Sequence, residues 1–187
     1  AQAFALEVPT EAAMAGRSLT LAASVRSQTP DPQPQDNDDS LPVELRARPA
    51  SNLAVSLQGP ETLPAGTFGT EYRLRLRNLG SAPARAATLQ VGGNTVSMLS
   101  SLSAPAGWRC DKVALSGPRS ARFDCRSERE LAAGADLAFV LGVNTAPVPA
   151  DGVVTVQATA DSASADADPG DNTAQWQTRV GGGGRGR

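Results

Sequence analysis

Three sets of residues in this sequence have types and spacings that could do chemistry. The first is a pair of acidic heptapeptides, DPQPQDN from Asp31 and DADPGDN from Asp166. Asp31, Asp36, Asp166 and Asp171, with Asp38, Asp39, Asp161 and Asp168 beside them, could offer oxygen ligands to calcium, a hard cation that takes roughly six to eight. The heptads lack the regular ligand spacing and central glycine of an EF-hand loop. Asp and Asn also hydrogen-bond their own backbone in turns, and Pro fixes its own φ. A recurring turn is therefore preferred, with calcium the alternative.

The second set is Arg73, Arg75 and Arg77, alternating with Tyr72, Leu74 and Leu76. A period of two puts three guanidinium groups on one strand face, where they could grip an anionic glycan or phosphate by bidentate hydrogen bonds. The plainer reading, and the preferred one, is a solvated face whose charge discourages edge-to-edge association.

The third set is Cys110 and Cys125, the only cysteines, in GWRCDKVALSGPRSARFDC. Antiparallel pairing of the two centres their connection on Gly117 and Pro118, and Pro118 suits a loop longer than a tight two-residue turn. Trp108 and Phe123 each stand two residues before a cysteine and so share the faces of the sulfurs. A structural disulfide worth about 3 kcal/mol is preferred over two reduced core thiols, and it implies an oxidising compartment. The spacing is not Cys-x-x-Cys and no other soft ligand is present, which argues against a metal or redox role.

Other chemistry has little to build on. There is no His, which removes Ser-His and Cys-His nucleophilic sites and every His-ligated metal site. No nucleophile elbow or phosphate loop is present, so an enzyme is not expected. Lys112 is the sole lysine; an internal Lys–Asn isopeptide bond, known in some bacterial immunoglobulin-like domains, is not expected beside a disulfide. With Tyr72 the only tyrosine, a platform for stacking sugars is poorly supplied, and Trp176 falls on an apolar strand face. A net charge of −2 gives no general attraction to nucleic acid or an anionic membrane. GGGGRGR at the C-terminus carries too few arginines for RNA and reads as a flexible spacer. No apolar run approaches the roughly 20 residues of a membrane-spanning helix. The chain opens at Ala1 without Met or signal peptide, so a mature or excised fragment is expected.

The elements that must position these residues are strands. LAFVLGV (Leu137, Phe139, Leu141, Val143), VTVQATA (Val154, Val156, Ala158, Ala160), AQWQTRV (Ala174, Trp176, Val180), NLAVSLQ and EYRLRLRN all alternate apolar with polar residues, the pattern of half-buried strands. Between them lie turn-rich GPETLPAG, NLGSAP and TAPVPADG. Aromatics make up only 4%, so the core must be Val, Leu and Ala. About seven or eight strands with one apolar face each are most simply buried by packing two sheets face to face.

The chain also repeats itself at an offset of 135. Phe4, Leu6, Val8 and Thr10 fall on Phe139, Leu141, Val143 and Thr145; Leu19, Leu21 and Ala23 on Val154, Val156 and Ala158; Asp31, Pro34, Asp36 and Asn37 on Asp166, Pro169, Asp171 and Asn172. Residues 1–47 therefore read as the closing strands of one repeat and 48–180 as a complete second copy, followed by a tail over 181–187. The early segment has strands around Phe4–Val8, Leu19–Ser27 and Leu41–Leu45, the last at an edge because of Pro42. Its apolar face has no partner sheet of its own, and residues upstream are expected to supply one.

NLAVSLQGPETLPAGTFGTEYRLRLRNLGSAPA, then GWRC and FDC, then LAAGADLAFVLGV, then VVTVQATADSASADADPGDNTA together resemble the bacterial conserved surface-repeat domain. The family often has an Asp-x-Leu-Pro strand end in mid-module, which LQVGGNTVSMLSSLSAPAG lacks. The resemblance implies immunoglobulin-like domains in tandem within large secreted or surface-anchored proteins, with no established activity. The expected fold is all-β: an immunoglobulin-like antiparallel β-sandwich, one complete module preceded by the C-terminal strands of another. The expected function is a stalk or spacer of a bacterial exported or cell-surface protein (extracellular, with the periplasm the alternative), with support of adhesion as a secondary role. Its partners would be neighbouring repeats of the same chain and a surface glycan or a host or cell-envelope component. The alternative function is an accessory carbohydrate- or polyanion-binding module of a secreted multidomain enzyme.

Overall fold

A computed structural model describes residues 3, 5–11, 14–94, 97–115, 121–145 and 152–181. The chain divides into two compact units, Ala1–Arg48 and Pro49–Arg187.

In the first unit, β1 (Ser18–Ser24) and β2 (Asp38–Glu44) pair antiparallel, joined through a 3-10 turn at Pro34–Asp36. Leu19 lies opposite Val43 and Leu21 opposite Leu41, so the apolar side chains share one face. Nothing covers them deeply: no described residue of this unit is buried, and Leu41 and Val25 are 60% and 63% exposed. The strand expected around Phe4–Val8 does not form among the described residues; 5–11 carry no strand, and Leu6 is 74% exposed. The second unit supplies the reason. There the matching residues belong to a strand in the opposite sheet from the pair that resembles β1–β2, so without that sheet they have no ladder to join.

The second unit holds ten strands among its described residues, more than the seven or eight expected. They are β3 (Leu53–Gln58), β4 (Thr62–Pro64), β5 (Thr70–Asn78), β6 (Thr88–Gly93), β7 (Ser97–Ser103), β8 (Trp108–Ala114), β9 (Ala121–Ser127), β10 (Asp136–Thr145), β11 (Gly152–Asp161) and β12 (Thr173–Gly181). One sheet has the order β3-β5-β10-β7 and the other β4-β12-β11-β6-β9-β8. Every pairing is antiparallel except β4 with β12. The two layers form the immunoglobulin-like antiparallel β-sandwich. β12 runs one residue into the glycine tract, to Gly181; the rest of the tract, the turn at Gly117–Pro118 and residues 146–151 lie outside the described residues.

Alternation decides what is buried. Tyr72, Leu74 and Leu76 of β5 are wholly buried, as are Leu141 and Val143 of β10. From the other sheet come Leu89, Val91, Val154, Val156 and Ala158. Each Leu or Val side chain among these, removed from water, contributes about 1.5–3 kcal/mol before entropy is counted. The core also holds a polar chain. Thr178 donates to the carbonyl of Pro60 (2.7 Å), so its oxygen accepts from the Tyr72 hydroxyl (2.7 Å). Burial raises the Tyr72 pKa, and the bond to Thr178 opposes that rise. Trp176, half-buried against the core, donates its Nε1–H to the same Pro60 carbonyl at 3.1 Å.

The hairpin β11–β12 is a residue-for-residue match to β1–β2. Ser18↔Glu44 through Ser24↔Asp38 become Val153↔Arg179 through Thr159↔Thr173 when 135 is added to each number. The 3-10 turn Pro34–Asp36 becomes Pro169–Asp171. Val25 N–H to Asn37 O (2.9 Å) becomes Ala160 N–H to Asn172 O (2.8 Å).

Candidate functional site

The acidic heptad of the second unit stitches a loop to the first strand of the sandwich. Asp166 Oδ1 accepts from the backbone N–H of Asp168 (3.0 Å), the turn that Asp residues make within their own chain. Its Oδ2 accepts from Leu53 N–H at 2.9 Å, and Ala167 N–H donates to Ser51 O at 2.8 Å. Asp168 caps the 3-10 turn by accepting from Gly170 N–H (3.1 Å). Asp171 and the Asn52 amide close the group. In the amide orientation that satisfies both its ends, Asn52 donates to Asp171 Oδ1 (3.2 Å) and Asp166 Oδ1 (3.0 Å). Desolvation, then the charges of Asp168 and Asp166, raise the Asp171 pKa above the ordinary carboxylate value. In the first unit Asp31 makes the same local turn, accepting from Gln33 N–H at 2.9 Å, while Asp36 sits exposed in the 3-10 turn. Among the described residues no group of three or more His, Cys, Asp or Glu is arranged to hold a metal ion. The structure gives these carboxylates backbone N–H and amide partners.

Arg73, Arg75 and Arg77 lie on the outer face of β5, with Arg73 and Arg75 exposed and Arg77 half-buried. β5 runs between β3 and β10, so the arginines guard no sheet edge, and that part of the expectation is corrected. Arg75 forms a bidentate pair with Asp136, Nε to Oδ1 being 3.1 Å and Nη2 closer still to Oδ2. Charge in the middle of the stripe is thereby neutralised.

Cys110 and Cys125 face each other across β8 and β9 and are joined as a disulfide. Because β8 is the outermost strand of the six-stranded sheet, the bond fastens an edge. Cys125 and Phe123 are buried, and Trp108 meets Phe139 edge-on with ring centroids 5.3 Å apart. Lys112 stands over the Phe123 ring, Nζ 5.8 Å from its centroid, and reaches the Ser100 carbonyl at 3.5 Å; an amide-forming Asn is not among these contacts.

Two features escaped the sequence reading. Asn78, within a segment that reads as a turn, is fully buried with every polar atom engaged. Its Oδ1 accepts from Asn52 and Gly80 N–H (both 3.1 Å), and its Nδ2 donates to Ala82 O (2.9 Å) and Leu131 O (3.0 Å). The other is a hollow on the outer face of the six-stranded sheet, about 420 Å³, lined by residues of β6, β9 and β11 and by Asn94 just past β6. No local pattern marks it, because it arises where three strands distant in sequence lie side by side.

No protein-family model matches the chain, and no curated protein does. Solved structures match the fold. The cohesin module in a type I cohesin–dockerin complex from Clostridium thermocellum is 13% identical, with a TM-score of 0.51 over 73% of this chain and 99% of that one. A cohesin module from a Clostridium perfringens family 33 glycoside hydrolase is 11% identical, with a TM-score of 0.48 over 73% of this chain and 100% of that one. The CARDB domain of a Pyrococcus furiosus protein, crystallised with di-metal ions, is 17% identical, with a TM-score of 0.45 over 70% and 89%. At such identities the likeness concerns the β-sandwich alone.

Proposed function

We propose that this chain is part of a structural spacer in a bacterial exported or cell-surface protein, built from repeated immunoglobulin-like sandwiches and without catalytic activity. The observation that supports this reading most directly is the shared register of β1–β2 and β11–β12, together with the shared turn between them. Two hairpins of one chain that agree in seven successive pairings at a constant offset are one design used twice. In the second unit the design is finished: the hairpin's inner face meets a second sheet, and Asp166 and Asn172 meet Leu53 and Asn52 or their neighbours. In the first unit Asp31, Asp36 and Asn37 keep the same chemistry without those partners. Strands equivalent to β3–β10, from a neighbouring repeat, would supply them.

The disulfide suits an oxidising, extracytoplasmic location, and no helix of the described residues is long and apolar enough to cross a membrane. Sandwich repeats of this kind hold other domains apart, and an adhesive role would belong to such partners as much as to the spacer.

The test is a chimera of the full chain in which Ser18–Leu45 replaces Val153–Val180 without a gap. Val43 then occupies the place of Thr178, leaving the buried Tyr72 hydroxyl without its acceptor. The chimera should fold cooperatively, and Tyr72→Phe should stabilise it by about 1–2 kcal/mol, whereas the same change destabilises the parent. A chimera that stays unfolded with and without Tyr72→Phe would count against the repeat reading.

A further inference from the structure

We infer that the hollow over Gly92 is a binding site for a neutral oligosaccharide. Gly92 stands in mid-sheet, with Gln157 of β11 opposite it on one side and Arg122 of β9 on the other. Glycine inside a strand weakens the strand and marks a bulge, a bend or the close approach of something else. β6 pairs with β11 as far as Gly93 and with β9 as far as Gly92, its last pair on that side, with no register shift in either ladder, so Gly92 is not a bulge. A Cβ built on Gly92 would meet nothing within 4 Å, whereas one on Gly59 would strike Tyr72 at 2.3 Å and one on Gly142 would strike Ser101 Oγ at 2.5 Å. Those two glycines answer to crowding within the chain. Gly92 meets no such crowding, and the open space above it is what a ligand would occupy.

The walls specify the ligand's chemistry. Gln90, Asn94, Arg122, Thr155, Gln157 and Thr159 line the hollow together with Gly92 and Gly93. Amides and hydroxyls thus supply donors and acceptors among the apolar surface of side-chain stems and glycine backbone, the mixture that a sugar's hydroxyls and C–H faces require. The one cation is already neutralised: Arg122 Nε lies 2.8 Å from Asp124 Oδ1 and its Nη2 donates to Oδ2 at 3.0 Å. An anion therefore gains little here, which separates this site from the arginine stripe of β5. Asn94 is held by its amide donating to Val153 O and its oxygen accepting from Thr155 N–H (3.2 Å), so the rim is shaped before a ligand arrives. A peptide would add to a sheet edge by main-chain hydrogen bonds, and this site is on a face between interior strands. A polyhydroxylated, uncharged chain matches both the lining and a volume within the range of ligand sites, about 300–1,000 Å³.

The experiment uses the full chain with cello-, manno- and chito-oligosaccharides, and a sulfated glycan as the anionic arm, followed by amide chemical shifts and calorimetry. At least one neutral oligosaccharide should bind and shift Gln90, Gly92 and Gln157, with binding little changed between low and moderate salt. Gly92→Leu fills open space and should weaken binding at least tenfold with the melting temperature retained; Gln157→Ala, which cannot crowd the sheet, should weaken it several-fold. Failure of every neutral oligosaccharide to bind, binding of the sulfated glycan alone, or binding undiminished in both variants would overturn the proposal.

Discussion

Asn78 shows how a single side chain can hold several loops. Its four hydrogen bonds reach Asn52, Gly80, Ala82 and Leu131, segments that no periodic pattern connects. Asn78→Ala strands these backbone groups in a buried place, and denaturant unfolding should show a loss of about 2–3 kcal/mol. Asn78→Asp keeps the two acceptor contacts but turns its other oxygen toward two carbonyls, so near neutral pH it should be at least as damaging. Asp171 makes the opposite case. Its folded-state pKa is raised by desolvation and by Asp168 and Asp166, so the folded protein holds that proton more tightly than the unfolded chain does. Stability contributed by the protonated form is present at low pH and lost as pH rises through the folded value. Asp171→Asn should therefore raise stability near neutral pH, by about 0.5 kcal/mol, and flatten the pH dependence of unfolding across the window just above the ordinary carboxylate pKa. An unchanged slope in the variant would show that another group governs that window.

At the scale of elements, the edge strand β8 depends on one neighbour. It pairs with β9 alone, and its ion pairs Arg109–Glu128 and Asp111–Arg126 are solvent-exposed, where such pairs are worth little. The disulfide closes a loop with a sequence separation of 15. Replacing both cysteines by Ser should lower stability by about 3 kcal/mol and speed hydrogen exchange over Trp108–Ala114 before the rest of the sheet. Much of this arrangement was legible in the sequence: alternation alone puts Leu74 and Leu76 inside and Arg73 and Arg75 outside, and antiparallel pairing of the two cysteine segments sets Cys110 opposite Cys125. Sheet membership was not legible. β6 and β7 follow each other in the chain yet enter different layers, and β10 lies between β5 and β7, because long-range ladders decide the layer while local pattern decides only the face. The segment around Leu6 and Val8 carries a strand's lettering and forms none for the same reason. Likewise the hollow over Gly92 needs β6, β9 and β11 side by side before it exists.

At the scale of the whole chain, two hairpins with the same register differ in what surrounds them, and their difference measures what a second layer does. Val154, Val156 and Ala158 are wholly buried, while their counterparts Leu19 and Leu21 are half-buried and Ala23 is exposed. A two-stranded hairpin alone is marginal in water, and pairing without packing leaves amides open to exchange. Hydrogen exchange on the intact chain should therefore show Leu19–Ala23 exchanging at least about a thousandfold faster than Val154–Ala158, although the ladders match pair for pair. Adding a polypeptide that supplies equivalents of β3–β10 should slow the early hairpin toward the late one, because the apolar face of Leu19, Leu21, Leu41 and Val43 would then lose its water. Strong protection of both hairpins in the isolated chain would mean that the first unit is stabilised without a second sheet, and the case for a neighbouring repeat as its missing layer would fall.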